Sequence, residues 1–219
     1  LKRLIPGLAD PIPWYGKLGE GVTEEKIQAL INAGYGYVLV GGVQSTPITG
    51  AGAYVSTTPD MDIKVPDDKA FIPISILVQL ETIGTVSPLE CFATVGLGGT
   101  FATGGTAITP KNMDTSKSDS SGLLCQSPAS SAVLPTVNLT DIWRNGVPNV
   151  SVKTDRGTVS VKDHPFQFKY SAKEEGVYHI LKGQGGTLFA RLNIWAAHQA
   201  ATAFIIVKGV CVPVEWAKA

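Results

Sequence analysis

The segment GGTLFARLNIWAAHQAATAFIIVKGVCVPVEW, Gly185–Trp216, decides the fold class. It reads as two long apolar strands, GGTLFARLNIWAA and AFIIVKGVCVPVEW, separated by the short polar-and-alanine connection HQAAT. Runs of that length and apolar density belong in the interior of a sheet, so both are expected to be central strands.

Upstream the period stays at two. FQFKYSAKEEGVYHIL, 166–181, sets Phe166, Phe168 and Tyr170 against Gln167 and Lys169 and reads as a hairpin. VSVKTDRGTVSVK, 150–162, reads as another, with valines 150, 152, 159 and 161 on one face and Asp155-Arg156-Gly157 turning between the arms. An earlier group of β-branched runs is expected to form strands near YGYVLV (35–40), AYVSTT (53–58), MDIKV (61–65), FIPISILVQLET (71–82), LECFATVG (89–96) and TAIT (106–109). Between the groups, KNMDTSKSDSSG (111–122) is rich in Ser, Asp and Lys and reads as a long exposed loop.

Only the N-terminal end departs from this period. Pro6, Pro11 and Pro13 interrupt residues 1–22, which read as an irregular arm offering Trp14 and Tyr15 for docking. TEEKIQALINAG (23–34) carries the helix signals: Thr23 as N-cap, Glu24 and Glu25 in the first turn, Ile27, Leu30 and Ile31 on one face, and Gly34 as the stop. The expected architecture is therefore all-β, an antiparallel sandwich over 35–219 preceded by an arm and one short helix over 1–34.

Composition agrees with that class. The chain has 219 residues, 44% apolar and 16% charged, with 24 glycines and 14 prolines, as short strands joined by many turns require. Eighteen basic residues balance eighteen acidic ones, so no net field draws the chain to nucleic acid or to an anionic membrane. A thinly charged surface also favours self-association or a permanent neighbour. No apolar run reaches membrane-spanning length and LKRLIPGLADPIP is unlike a signal peptide, so a soluble chain is expected.

GLGGTFATGGTAITPKNM (96–113) fails the phosphate-cradle patterns, because Gly105 is followed by Thr106-Ala107, Lys111 comes after a proline, and Phe101 occupies a dinucleotide glycine position. The three cysteines, Cys91, Cys125 and Cys211, are odd in number and far apart, so they read as small buried residues. His164, His179 and His198 stand singly, with His179 placed in a strand beside Tyr178, and no metal-ligand spacing is present.

Asp60-Met61-Asp62-Ile63-Lys64 begins like a calcium loop and then breaks it with lysine. The acidic pairs Glu24-Glu25, Asp67-Asp68 and Glu174-Glu175 read as a helix start and turn positions. Glycosylation triplets begin at Asn138 and Asn149. Trp143, Trp195 and Trp216 form either a carbohydrate platform or, as aromatics on central strands more often do, core and interface. No catalytic residue, cofactor or metal is assigned, and the chain is expected not to be an enzyme.

Three segments, VPDDKAFIPISILVQLET (65–82), GGTAITPKNMDTS (104–116) and Gly185–Trp216, resemble in their order the virion proteins of tailed phages with a β-sandwich core. The closing strand departs from that pattern, running KGVCVPVEW where an acidic ending is usual, and the N-terminal helix is not part of it. The resemblance implies a jelly-roll-like capsid decoration, cement or head-fibre protein, commonly a homotrimer. Its partners would be copies of itself and the major capsid protein or other virion proteins, in a virion assembled in the host cytoplasm, without nucleic acid or membrane. Two alternatives stay open: a carbohydrate- or receptor-binding sandwich module of a tail or fibre, and a jelly-roll major capsid protein, although LKRLIPGLAD has only two basic residues.

Overall fold

A computed structural model describes residues 24–43, 45–50, 56–82, 89–147, 167–196 and 202–217. The expected arm, the Thr23 cap, the 150–162 hairpin, His164, His198 and Asn149 lie outside them. In chain order the strands are β1 (Gly36–Gly41), β2 (Ile48–Thr49), β3 (Met61–Lys64), β4 (Lys69–Thr82), β5 (Leu89–Leu97), β6 (Gly104–Ala107) and β7 (Lys111–Asn112). They continue as β8 (Leu124–Ser130), β9 (Val137–Val147), β10 (Gln167–Ser171), β11 (Leu181–Lys182), β12 (Ala190–Trp195) and β13 (Thr202–Pro213).

The strands form two antiparallel sheets. One runs β10-β4-β13-β1-β7, with β11 also on β4 and β2 on β13; the other runs β6-β8-β3-β12-β5-β9. The two strands of the C-terminal segment are each interior as expected, but in different sheets: β13 lies between β4 and β1, and β12 between β3 and β5. The first is shorter than expected, because residues 185–189 bend and turn ahead of β12.

Alternation along each strand builds the core between the sheets. Leu39, Ile76, Val78, Ile205 and Val207 from one sheet meet Met61, Ile63, Ala93, Leu192 and Ile194 from the other in one buried cluster. Each fully buried aliphatic side chain contributes about 1.5–3 kcal/mol relative to exposure, so this single core is the main stabilising element of the sandwich.

The helix α1 (Glu24–Leu30) continues through a π-helical turn, Ile31–Tyr35, that closes at Gly34 with φ 90°. Ile27 and Leu30 pack on Ala70, Ile72, Val210 and Val212, so the helix lies on the outer face of the seven-stranded sheet. Both of its ends are held. Lys173 pairs with Glu24 at 2.8 Å, and the Asn112 side-chain amide donates to the Gly34 carbonyl at 2.7 Å.

The expected 166–181 hairpin is absent over its described residues, 167–181: β10 pairs with Ser75–Gln79 of β4 and β11 with Ala70–Phe71, so the two lie end to end along one strand. A one-turn helix, α2 (Ala172–Glu175), capped by the Ser171 hydroxyl and closed by left-handed Gly176, carries the chain between them. Pro73 falls in the gap, where β4 has no strand on that side to receive an N–H. Across β13 it faces Gly209, at a bulge where a Cβ would collide with the Phe71 ring.

Residues 111–122 are not simply an exposed loop. Lys111 and Asn112 form β7 on β1, and Asn112 and Ser121 are buried. Ser56 and Thr57, inside the expected 53–58 strand, form a turn. His179 lies outside the strands, between α2 and β11. The expected TAIT strand begins earlier and ends at Ala107, while β8 and β9 are strands that the pattern did not announce.

Candidate functional site

The outer face of the six-stranded sheet holds the densest polar chemistry. In β12, Ala190, Leu192 and Ile194 point into the core, which sends Arg191, Asn193 and Trp195 to the opposite face. Strand register then aligns Gln126, Asp62, Asn193, Thr94 and Asp141 in one row across β8, β3, β12, β5 and β9.

Asp62 and Arg191 are both fully buried. Arg191 Nε donates to Asp62 Oδ1 at 3.0 Å and its terminal nitrogen to Oδ2 at 2.5 Å, while Asn193 Nδ2 reaches Oδ1 at 2.9 Å and the Ala102 N–H reaches Oδ2 at 2.8 Å. These four donors occupy about all the lone-pair sites a carboxylate has. Burial pushes the Asp62 carboxyl above its ordinary range, and the hydrogen bonds and charge of Arg191 oppose that shift.

Arg191 also donates to the Val133 carbonyl, and the Asp60 carboxylate accepts the Ala196 N–H at 2.7 Å. The arrangement is a clamp: one ion pair ties the loops around Ala102 and Val133 to the sheet. It does not resemble a calcium loop, because Asp62 has its oxygens engaged and Met61–Lys64 is a strand. Among the described residues, no group of three or more His, Cys, Asp or Glu is placed to hold a metal ion.

The glycine-threonine segment serves this clamp. Gly98 and Gly99 take positive φ after β5, Ala102 binds Asp62, and the chain then enters β6. Gly105 has φ 112°, and a Cβ there would collide with the Pro128 carbonyl. Lys111 is exposed and pairs with Asp119 at 2.7 Å, and Asp119 also accepts the Asn112 N–H. These contacts hold the Asp119 carboxyl below its ordinary range.

All three cysteines are free and buried. Burial pushes the Cys211 thiol up to about 12, and the Cys91 and Cys125 thiols higher, so none is a ready thiolate nucleophile. His179 is half-buried, and desolvation lowers its pKa. Trp143 and Trp195 are buried, and Trp216 packs edge-on against Tyr35 at 5.1 Å. Trp195 stacks on Phe92 at 4.7 Å, with the Arg144 guanidinium 4.6 Å above the Phe92 ring. Asn138 lies on β9 with φ 52°.

A second feature lies on the outer face of the seven-stranded sheet beside α1. Alternation turns Val38 and Val40 of β1, Leu77 of β4, and Phe204 and Ile206 of β13 outward, and register places Val40, Ile206 and Leu77 in one row. These side chains are partly exposed, Val40 by 39%. Lys208 stands in the next row, between Val38 and Ser75. The sequence signal was available in AFIIVKGVCVPVEW, which is apolar on both alternating faces.

No protein-family model, curated protein or solved structure matches the chain.

Proposed function

We propose that this chain is a structural protein of a tailed-phage virion, most simply a capsid decoration, cement or head-fibre protein of jelly-roll-like connectivity that works as a homotrimer. The observation that carries the reading is the apolar stripe Val38, Val40, Leu77, Phe204 and Ile206 on the outside of a sandwich that already has its own closed core. A protein whose work is to cover and join neighbours needs such a face, and small interfaces repeated by symmetry gain affinity through multivalency. The balance of eighteen basic and eighteen acidic residues supports it, since charge then offers little barrier to close packing of copies.

On this reading the Asp62–Arg191 clamp is a structural device that holds two loops in shape, with no part in a reaction. The recognition-module alternative calls for aromatic rings open to a sugar, and burial of Trp143 and Trp195 weighs against it. The test is the solution mass of the purified chain by light scattering at several concentrations. A stable trimer is expected. Closed particles would replace the reading with a major capsid protein, and a strict monomer would replace it with the recognition module.

A further inference from the structure

Two buried oxygens in the polar row, Asn193 Oδ1 and Thr94 Oγ1, have no hydrogen-bond partner among the described residues. Their residues stand directly opposite each other on β12 and β5. Such cross-strand pairs leave the sheet on the same face with Cβ atoms roughly 5 Å apart. Asn193 is fully buried and Thr94 is 4% exposed.

The orientation of the Asn193 amide follows from chemistry. Its neighbour on the β3 side, Asp62, offers only acceptors, so the amide nitrogen donates there and the amide oxygen is left without a donor. Two unsatisfied oxygens therefore belong to residues paired directly across the strands. The threonine hydroxyl is able to donate to the amide oxygen, yet the two make no hydrogen bond.

We infer that one ordered water molecule is bound between Asn193 Oδ1 and Thr94 Oγ1, donating a hydrogen bond to the amide oxygen and exchanging one with the hydroxyl. The ligand is neutral because both carboxylates of the row are already paired, Asp141 with Arg144 and Asp62 with Arg191. Asp62 is matched by Arg191 and its oxygens are occupied, so a cation would find two neutral oxygens in return for its hydration shell. An anion would meet the lone pairs of Asn193 Oδ1. Water supplies both donors and acceptors, and buried waters typically satisfy polar groups left unpaired by the chain. Its role is to extend to β5 the polar cross-link that Asp62 makes between β3 and β12.

A high-resolution crystal structure of the whole chain tests this directly. One density peak within hydrogen-bonding distance of both oxygens is expected, together with nuclear Overhauser contacts in solution between a long-lived water and the Thr94 methyl group. Thr94→Val, nearly isosteric but without the hydroxyl, is expected to lose both signals, and Thr94→Ser to keep the density peak. A direct Thr94–Asn193 hydrogen bond with no peak between them would overturn the inference, as would a peak with the short, many-oxygen coordination of a metal ion. If Thr94→Val does not fold, the density and solution contacts of the unaltered chain decide the question.

Discussion

At the scale of single residues, Asp62 and Arg191 carry the largest stake, because each is buried beside the other's charge. Arg191→Met leaves a buried carboxylate without its cation and is expected to cost about 3–5 kcal/mol, as breaking such pairs from one side does. Asp62→Leu with Arg191→Met should cost less than the sum of the single changes, since the double variant leaves neither charge uncompensated. Urea unfolding of the three variants measures this, and strictly additive losses would refute the coupling. Lys111 is the contrast: its pair with Asp119 is exposed, so Lys111→Ala should change stability little and leave any nucleotide response unaltered. His179 supplies a pH dependence. Its folded-state pKa is depressed by desolvation, so between that value and the ordinary 6.5 the unfolded chain binds more protons than the folded one. Stability should therefore fall as pH drops below 6.5 and level off beneath the folded pKa. His179→Gln should flatten that slope, and the difference between the two pH profiles isolates it from His164 and His198.

At the scale of elements, α1 is held by packing more than by its own length, for seven residues are too few to be stable alone. Leu30 is 1% exposed against the outer sheet face, and Leu30→Ala is expected to cost about 2–5 kcal/mol by lost burial and cavity formation. A thermal or urea midpoint unchanged by that variant would show that the helix does not share in cooperative folding. The helix was legible in the sequence because a single stripe, Ile27 and Leu30, precedes a glycine stop. β4 and β5 were legible for the corresponding reason at period two, and β12 and β13 by the apolar density of their runs. β8 escaped because its buried positions are Cys125, Ser127 and Ala129, small residues that give an alternation little apolar contrast. β9 escaped because it is an edge strand whose described side chains are mostly exposed, with Trp143 the buried one. The false hairpin at 166–181 arose because periodicity identifies a strand but not its partner, and β10 and β11 both found β4. Likewise, no spacing in the sequence joins Asp62 to Arg191, 129 positions away; only the β3–β12 register does so.

At the scale of the whole molecule, the sandwich explains why the chain can form a complete core and still keep apolar surface. The inward alternates of β1, β4 and β13 close the core, while their outward alternates divide between the α1 cluster and the stripe around Val40. Substitutions at the stripe should therefore separate association from folding. Val40→Glu places a charge on an outward position that is 39% exposed, where water can solvate it in the isolated chain but not in an interface. If copies of the chain associate through this face, the variant should shift the light-scattering mass toward the monomer and raise the association midpoint at least tenfold, with a melting temperature within a few degrees of the unaltered protein at a concentration where both are monomeric. Glu24→Gln offers a matched control, since it removes a charge from an exposed ion pair with Lys173 instead of adding one to the apolar stripe, and should leave the mass unchanged. An unaltered oligomer in Val40→Glu would remove this stripe as the contact surface while leaving the buried clamp and the sandwich core as they stand.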